Sequence, residues 1–267
     1  MSTALIALDK LSRRFGTLMA ANEVTLEVGA GEVFGLLGPN GAGKSTTIKM
    51  LTTLLPPTSG HASIAGYDIA RQQGDVRRVI GYVPQALSAD GALTGHENLL
   101  IFAKLYDVPR NIRKERIENA LETVGLTEAG RKLVRDYSGG MIRRLEVAQA
   151  LLHGPRALFL DQPTVGLDPV ARKAVWDSLI ALKEQSGMTI FLTTHYMEEA
   201  DSLCNRVAIM SHGKVSVIGT PEELKASIGK EGTTLDDVFV HYTGDELDSG
   251  GTYRDVSRSR RAARRLA

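Results

Sequence analysis

Short apolar runs recur along the chain, several of them followed by stretches with helical spacing, the signature of an α/β sheet. The clearest are "EVFGLLG" (32–38), "VIGYV" (79–83), "ALFL" (157–160), "TIFLTT" (189–194) and "RVAIM" (206–210). The opening "MSTALIALDK" has the apolar content of a first strand rather than the basic start and long apolar core of a signal peptide. From residue 86 to 150 the period changes. "ENLLIFAKLYDV", "RKERIENALETVGL" and "MIRRLEVAQALL" are helical in spacing, with no convincing strand among them. The pattern predicts an α/β core over 1–85 and 151–220, interrupted by a helical subdomain over 86–150. "PEELKASIG" and "TLDDVFVHYTG" predict short helices in a C-terminal extension, 221–247. The polar, arginine-bearing end, 248–267, has the composition of a disordered tail.

Composition narrows this only a little. The 267 residues are 43% hydrophobic, enough for a sizeable core, and no apolar run approaches the roughly 18 residues of a membrane span. A formal net charge of +1 provides no global field toward nucleic acid or membrane. One cysteine, Cys204, excludes an intrachain disulfide, fits a reducing compartment and reads as a small buried hydrophobe. A cytoplasmic protein is expected, with any membrane role coming through another chain.

The chemistry begins at "GPNGAGKST": Gly38, Pro39, Asn40, Gly41, Ala42, Gly43, Lys44, Ser45 and Thr46. It follows a predicted strand and opens a predicted helix, "STTIKMLTTLL", stopped by Pro56 and Pro57. Glycines leave inward-turned N–H groups free to face phosphate oxygens, and the helix start adds partial positive charge. Lys44 suits the β/γ oxygens, and the Ser45 hydroxyl can ligate Mg²⁺. A second anion cradle lies far along the chain, where Ser138, Gly139 and Gly140 open the helix of "YSGGMIRRLEVAQALLHGP". One nucleotide does not need two cradles from one chain. The economical arrangement is two copies head to tail, each cradle closing over the nucleotide on the other's phosphate loop.

"GPNGAGKST", Gln85 in "YVPQ", "YSGGM", "LFLDQP", "VGLD" (165–168) and "LTTHYMEEAD" (192–201) occur in the order found in the nucleotide-binding domains of ABC transporters, which the chain resembles over roughly residues 4–220. "YSGGM", "ADGALTGHENL" (89–99) and the "TLDDVFVHYTG" ending resemble more narrowly the daunorubicin-resistance type, in which the ATPase pairs with a separate exporter permease. The resemblance implies a P-loop NTPase fold of the RecA-like kind with an antiparallel β edge. It implies ATP and Mg²⁺, with Ser45, Gln85 and Asp161 at the metal, and a dimer of two copies at the cytoplasmic face of the plasma membrane. It assigns Phe15 to stacking on adenine, Gln85 to sensing Mg²⁺ and the γ-phosphate, and Asp161 to holding Mg²⁺ through water. It assigns Asp168 to linking the subunits, and His195 to the γ-phosphate and attacking water. Tyr137 and Met141 replace the commoner Leu and Gln around Ser138–Gly140.

The departure that matters is Gln162. The family's general base is a glutamate here, and an amide cannot take a proton from water at neutral pH. Three accounts are open: a deliberate replacement that traps the ATP-bound dimer, natural degeneracy, or hydrolysis relying on His195 or the substrate. Every other site residue being present favours the first. A nucleotide-gated module that never hydrolyses is the alternative that Gln162 supports. A soluble ABC protein acting on ribosomes or chromosomes would carry a second such domain or long coiled coils, and the chain has neither. Helix 97–106, "ENLLIFAKLY", is apolar enough for core and, with the loop before it, could form a groove for a permease helix. The tail's Arg254, Arg258, Arg260, Arg261, Arg264 and Arg265 are expected to be solvated, and without interleaved aromatics they predict no nucleic-acid partner.

Overall fold

The computed structural model describes residues 4–230 and 232–244; the tail expected over 248–267 lies outside them. Three strands carry the centre of the molecule: β3 (Val33–Leu37), β7 (Ala157–Asp161) and β8 (Thr189–Thr194), every residue of which is buried. They lie parallel in a six-stranded sheet, flanked by β6 (Ile80–Val83) and β9 (Arg206–Ser211), with β10 (Lys214–Gly219) antiparallel on the edge. Strands covered on both faces read as continuous apolar runs rather than alternating ones, which is why the four-to-six-residue runs were so legible.

Alternate residues of these strands feed two separate cores. Phe34, Phe159 and Phe191 stack down one face, successive ring centroids 5.6 Å apart, joined there by Ile48 and Met50 of α1 (Lys44–Leu51). Leu37, Leu158, Leu160 and Leu192 face the other way, onto the helices. The first core is closed by a four-stranded antiparallel sheet: β1 (Ile6–Phe15), β2 (Leu18–Val28), β4 (Ser59–Ile64) and β5 (Tyr67–Asp68), in the order β2-β1-β4-β5. The apolar opening is thus a strand, as its composition predicts, but of this second sheet. Its partners are half polar, and their alternation is broken by register shifts, so the sequence pattern did not reveal them.

Between β6 and β7 lie α3 (Gly95–Leu105), α4 (Arg110–Thr123) and α5 (Gly139–Leu151), the expected helical insertion. The preceding α2 (Gln73–Val79) leads into β6. A capping box between Thr94 and Glu97 starts α3 two residues before the predicted helix. Its Leu99 and Ala103 are buried while Ile101 and Leu105 are exposed, so it serves the core and also leaves an apolar outer face. After β7 come α6 (Pro169–Ser186), capped by Asp168 with proline at its first position, and α7 (Met197–Leu203). The two predicted C-terminal helices are α8 (Pro221–Ser227) and α9 (Leu235–Thr243), each begun by a threonine capping box.

Helix α1 is shorter than its sequence suggests. It stops at Leu51, five residues before Pro56, the first expected breaker. The Thr52 hydroxyl bonds back to the Ile48 carbonyl at 2.9 Å, and Thr53 turns left-handed at φ 61°, so the chain leaves the helix early.

Candidate functional site

The C-terminal ends of four parallel strands converge, and each delivers one piece of the site: β3 the phosphate loop, β6 Gln85, β7 Asp161 and Gln162, β8 His195. Crevices of this kind, at the carboxyl ends of parallel strands, are where α/β sheets bind ligands.

At the loop, two glycines are obligatory. Gly38 has φ 151°, and a Cβ there would stand 2.1 Å from the Met210 carbonyl oxygen; Gly43 has φ 107°, and its Cβ would meet the Ala20 carbonyl at 2.2 Å. Any side chain at either point would push the loop off the neighbouring backbone. Lys44 and Ser45 therefore open α1 with first-turn N–H groups that no intrahelical carbonyl claims. The Lys44 ammonium is buried and donates to the Gly38 carbonyl at 2.6 Å and the Pro39 carbonyl at 2.8 Å. Burial lowers its pKa from 10.5 to about 8, against the opposing pull of Asp161. Asn40 is exposed at the loop's tip, and Ala42 is tucked beneath it.

Asp161 gathers the centre. Its Oδ1 accepts from the Ser45 hydroxyl at 3.0 Å and from the Thr193 hydroxyl at 2.7 Å, its register partner across the β7–β8 ladder. Thr193 also holds the next residue: the Gln162 N–H donates to its carbonyl (3.1 Å) and its hydroxyl (3.0 Å). Gln162 is buried with φ 50°, a left-handed conformation that costs a non-glycine residue about 1–3 kcal/mol and that Thr193 holds in place. The Gln85 amide reaches Gln162 Oε1 at 3.4 Å.

Phe15, Gly41, Gly43, Lys44, Ser45, Thr46 and Gln162 share one open cavity of about 430 Å³. Phe15 is 44% exposed, with the Arg13 guanidinium 4.7 Å over its ring, so it is a wall of this cavity and not a core aromatic. His195 lies close enough to Lys44 and Arg172 for both charges to depress its pKa, after burial, the larger cause. Its Nδ1 is buried without a hydrogen-bond partner, and its ring tilts against Tyr196 at 4.1 Å, with Arg172 on Tyr196's other contact at 4.2 Å.

Ser138, Gly139, Gly140 and Asp168 do not join this cavity; they adjoin one another instead. A Cβ on Gly140 would stand 2.9 Å from that of Ala171, and one on Gly139 would stand 3.0 Å from Leu167. Asp168 caps α6 by accepting from Val170 and Ala171 N–H at 2.9 Å each, and it is exposed, as is Ser138. The phosphate loop and the turn around Ser138 are therefore two separate surface features of the chain.

A family model described as "ABC transporter" matches residues 21–165. The chain belongs to the ABC transporter family. Among relatives of this ABC protein, the daunorubicin resistance ATP-binding protein DrrA3 of Streptomyces coeruleorubidus is 43% identical over 229 residues, 86% of this chain and 72% of that one. The doxorubicin resistance ATP-binding protein DrrA of Mycobacterium tuberculosis is 44% identical over 214 residues, which cover 80% of this chain and 64% of its own length. A solved structure titled as an ATP binding subunit of an ABC transporter superposes with TM-score 0.77 at 30% identity, covering 90% of this chain and 99% of that one. The relatives named here are ATP-binding proteins by name. No helix among the described residues is long and apolar enough to cross a membrane.

The donor set also fits Mg²⁺. Among the described residues no cluster of three or more His, Cys, Asp or Glu could cage a metal alone. Two hard oxygen donors, Ser45 Oγ and Asp161 Oδ1, lie 3.0 Å apart beside the loop, as suits an ion that keeps water and substrate phosphates for the rest of its shell.

Sequence reasoning missed several supporting residues of this ABC site. Thr193 could have been suspected, because a threonine inside "IFLTT" is polar in an otherwise apolar buried strand. Met19 and Ala20, at the start of β2, and His212, in the β9–β10 turn, line the cavity from distant parts of the chain and carry no local signal. Glu199, fully buried, accepts from the Thr164 hydroxyl (2.8 Å) and the Trp176 indole N–H (2.9 Å), tying the turn after Gln162, α6 and α7 together. Burial raises its pKa. It is one of two glutamates in the first turn of α7, and nothing local marks it as the buried one.

Proposed function

We propose that this chain is the ATPase subunit of an exporter whose permease is a separate membrane chain, and that two copies close head to tail over two Mg-ATP at the cytoplasmic face. The observation carrying this reading is the split site: the Ser138–Gly140 turn, exposed at Ser138 and Gly139, lies outside the cavity of its own Lys44, so a second copy is what can complete it. The resistance proteins named above support drug-like amphiphiles as the exported class, with substrate contacts in the permease.

In that arrangement Lys44 moves from the Gly38 and Pro39 carbonyls to the β/γ phosphate oxygens, a charge-assisted exchange for neutral acceptors. Phe15 offers a ring face to the base. Ser45 and Asp161 would hold Mg²⁺, which would neutralise charge on the phosphates. Gln85 and Gln162 orient water by hydrogen bonds, and Gln162 accepts no proton. His195, its pKa lowered, stays neutral near pH 7 and can accept from water or donate to a phosphate oxygen through its uncommitted Nδ1 or the opposite ring nitrogen. Hydrolysis is therefore slow, and the ATP-bound dimer is long-lived. Energy reaches the permease because ATP favours the closed dimer and its loss releases it.

Affinity purification of the tagged chain from detergent-solubilised membranes in Mg-ATP tests the reading. A polytopic membrane chain should co-purify in stoichiometric amount. Recovery with ribosomal particles alone would overturn the exporter assignment. The second reading, a nucleotide-gated module that never hydrolyses, rests on Gln162 and predicts no turnover even after a carboxylate is restored there.

A further inference from the structure

The loop 84–88, which carries Gln85, has little else to hold it: residues 85–88 are exposed, and no strand or helix includes them. It is nevertheless gripped at both ends by one ion pair inside α5. Arg143 and Glu146, one turn apart, have side chains only 2% and 1% exposed and meet at 2.8 Å. Arg143 Nη1 also donates to the Pro84 carbonyl at 2.6 Å, and Nη2 to the Gln85 carbonyl at 2.7 Å. Glu146 Oε1 accepts from the Ser88 N–H and, at 3.0 Å, from the Ser88 hydroxyl. The same helix begins with Ser138–Gly140.

A buried ion pair is a poor stabiliser. Well-packed apolar side chains of similar volume usually do as well or better, and here Arg143 Nε is left without a partner. What apolar residues could not do is hold backbone groups of an irregular loop at both of its ends. Resting on the head-to-tail dimer proposed above, we infer that the Arg143–Glu146 pair is a positioning element that makes loop 84–88 and the signature helix one rigid piece. When the partner's nucleotide fixes Ser138, α5 carries Pro84 and Gln85 with it. The Gln85 amide is thereby set against Gln162 in its own cavity. Occupancy of one half-site is thus reported to the other through the side chains of a single helix turn.

The test uses the full chain and the double variant Arg143→Met/Glu146→Met, which leaves no lone charge buried. Three quantities are read: ATP affinity, amide exchange of 84–88 and 138–142, and the Mg-ATP concentration that produces dimer by light scattering. The expected result is ATP affinity within about threefold of the parent, because the phosphate loop is untouched. Exchange over 84–88 should rise by about tenfold or more, as for a segment released to local opening. Dimerisation should need roughly tenfold more nucleotide, a usual size of coupling between sites. A folded double variant with parental exchange over 84–88 and parental dimerisation overturns the proposal. If the double variant does not fold, Glu146→Gln decides: unchanged exchange of the Ser88 amide overturns the clamp, and faster exchange supports it. Failure of the parent itself to bind ATP would count against the function proposed above and would show before any variant is made.

Discussion

The side-chain amide of Gln85 donates to Oε1 of Gln162 across 3.4 Å, joining the end of β6 to the end of β7 where Gln162 borders the cavity beside the phosphate loop. The contact is long for a neutral amide pair. It is also held from behind, because Thr193 fixes the Gln162 backbone with two hydrogen bonds and Arg143 fixes that of Gln85 with one. The position is thus built for a planar acceptor of this length, and a glutamate fits it without rearrangement.

Gln162→Glu should therefore raise ATP turnover by at least about tenfold, within the 10²–10⁴-fold range of general-base contributions, or about 3–5 kcal/mol of barrier. Steady-state phosphate release with the permease present measures it. An unchanged rate would mean that a missing base is not what limits this chain.

Lys44 sets a pH dependence. Its pKa of about 8 in the folded chain lies below its ordinary 10.5, because burial penalises the charge. Between those values the unfolded chain holds the proton more often than the folded one, so stability from this group rises with pH through that window. In the function proposed above, ATP takes the charged form and so restores the proton. Calorimetry in buffers of differing ionisation enthalpy should find about one proton taken up per ATP near pH 9 and little at pH 7. Lys44→Ala should remove both the uptake and tight binding; parental affinity in that variant would refute the phosphate-loop assignment.

The two half-sites predict a cross-link. With Cys204 buried and unreactive, Ser138→Cys paired with Asn40→Cys should join two chains only in Mg-ATP, since both positions are exposed and lie on different half-sites. A bond that forms equally without nucleotide would argue against the head-to-tail closure.

Glu199→Ala should destabilise the fold by about 2–5 kcal/mol, because the Thr164 hydroxyl and the Trp176 N–H lose their shared buried acceptor. Glu199→Gln keeps an acceptor oxygen and discards a charge that burial already disfavours, so most stability should return. Thermal melts of the two variants decide it; equal losses would place the cost in the charge and not in the acceptor.

Much of this protein was determined along the chain itself. The phosphate loop, the signature turn and the strand-end residues Asp161 and His195 were legible because each is a local device. A glycine that must take φ above 100°, an aspartate closing a fully buried strand and a serine capping a helix all carry their signals within a few neighbours. The parallel strands were legible because burial on both faces leaves them mostly apolar, with polar residues chiefly at their ends. The antiparallel sheet was not, since β2 and β4 are half exposed and bulged, and their pairing depends on residues far away. Only the tertiary structure decided that Asp161 faces both Ser45 and Thr193, that Gln85 meets Gln162, and that a buried ion pair in α5 grips the loop 84–88. Those contacts join residues from about 30 to more than 100 positions apart in the chain. They exist because four strand ends converge on one rim of the sheet, an outcome of packing two cores that no local pattern encodes.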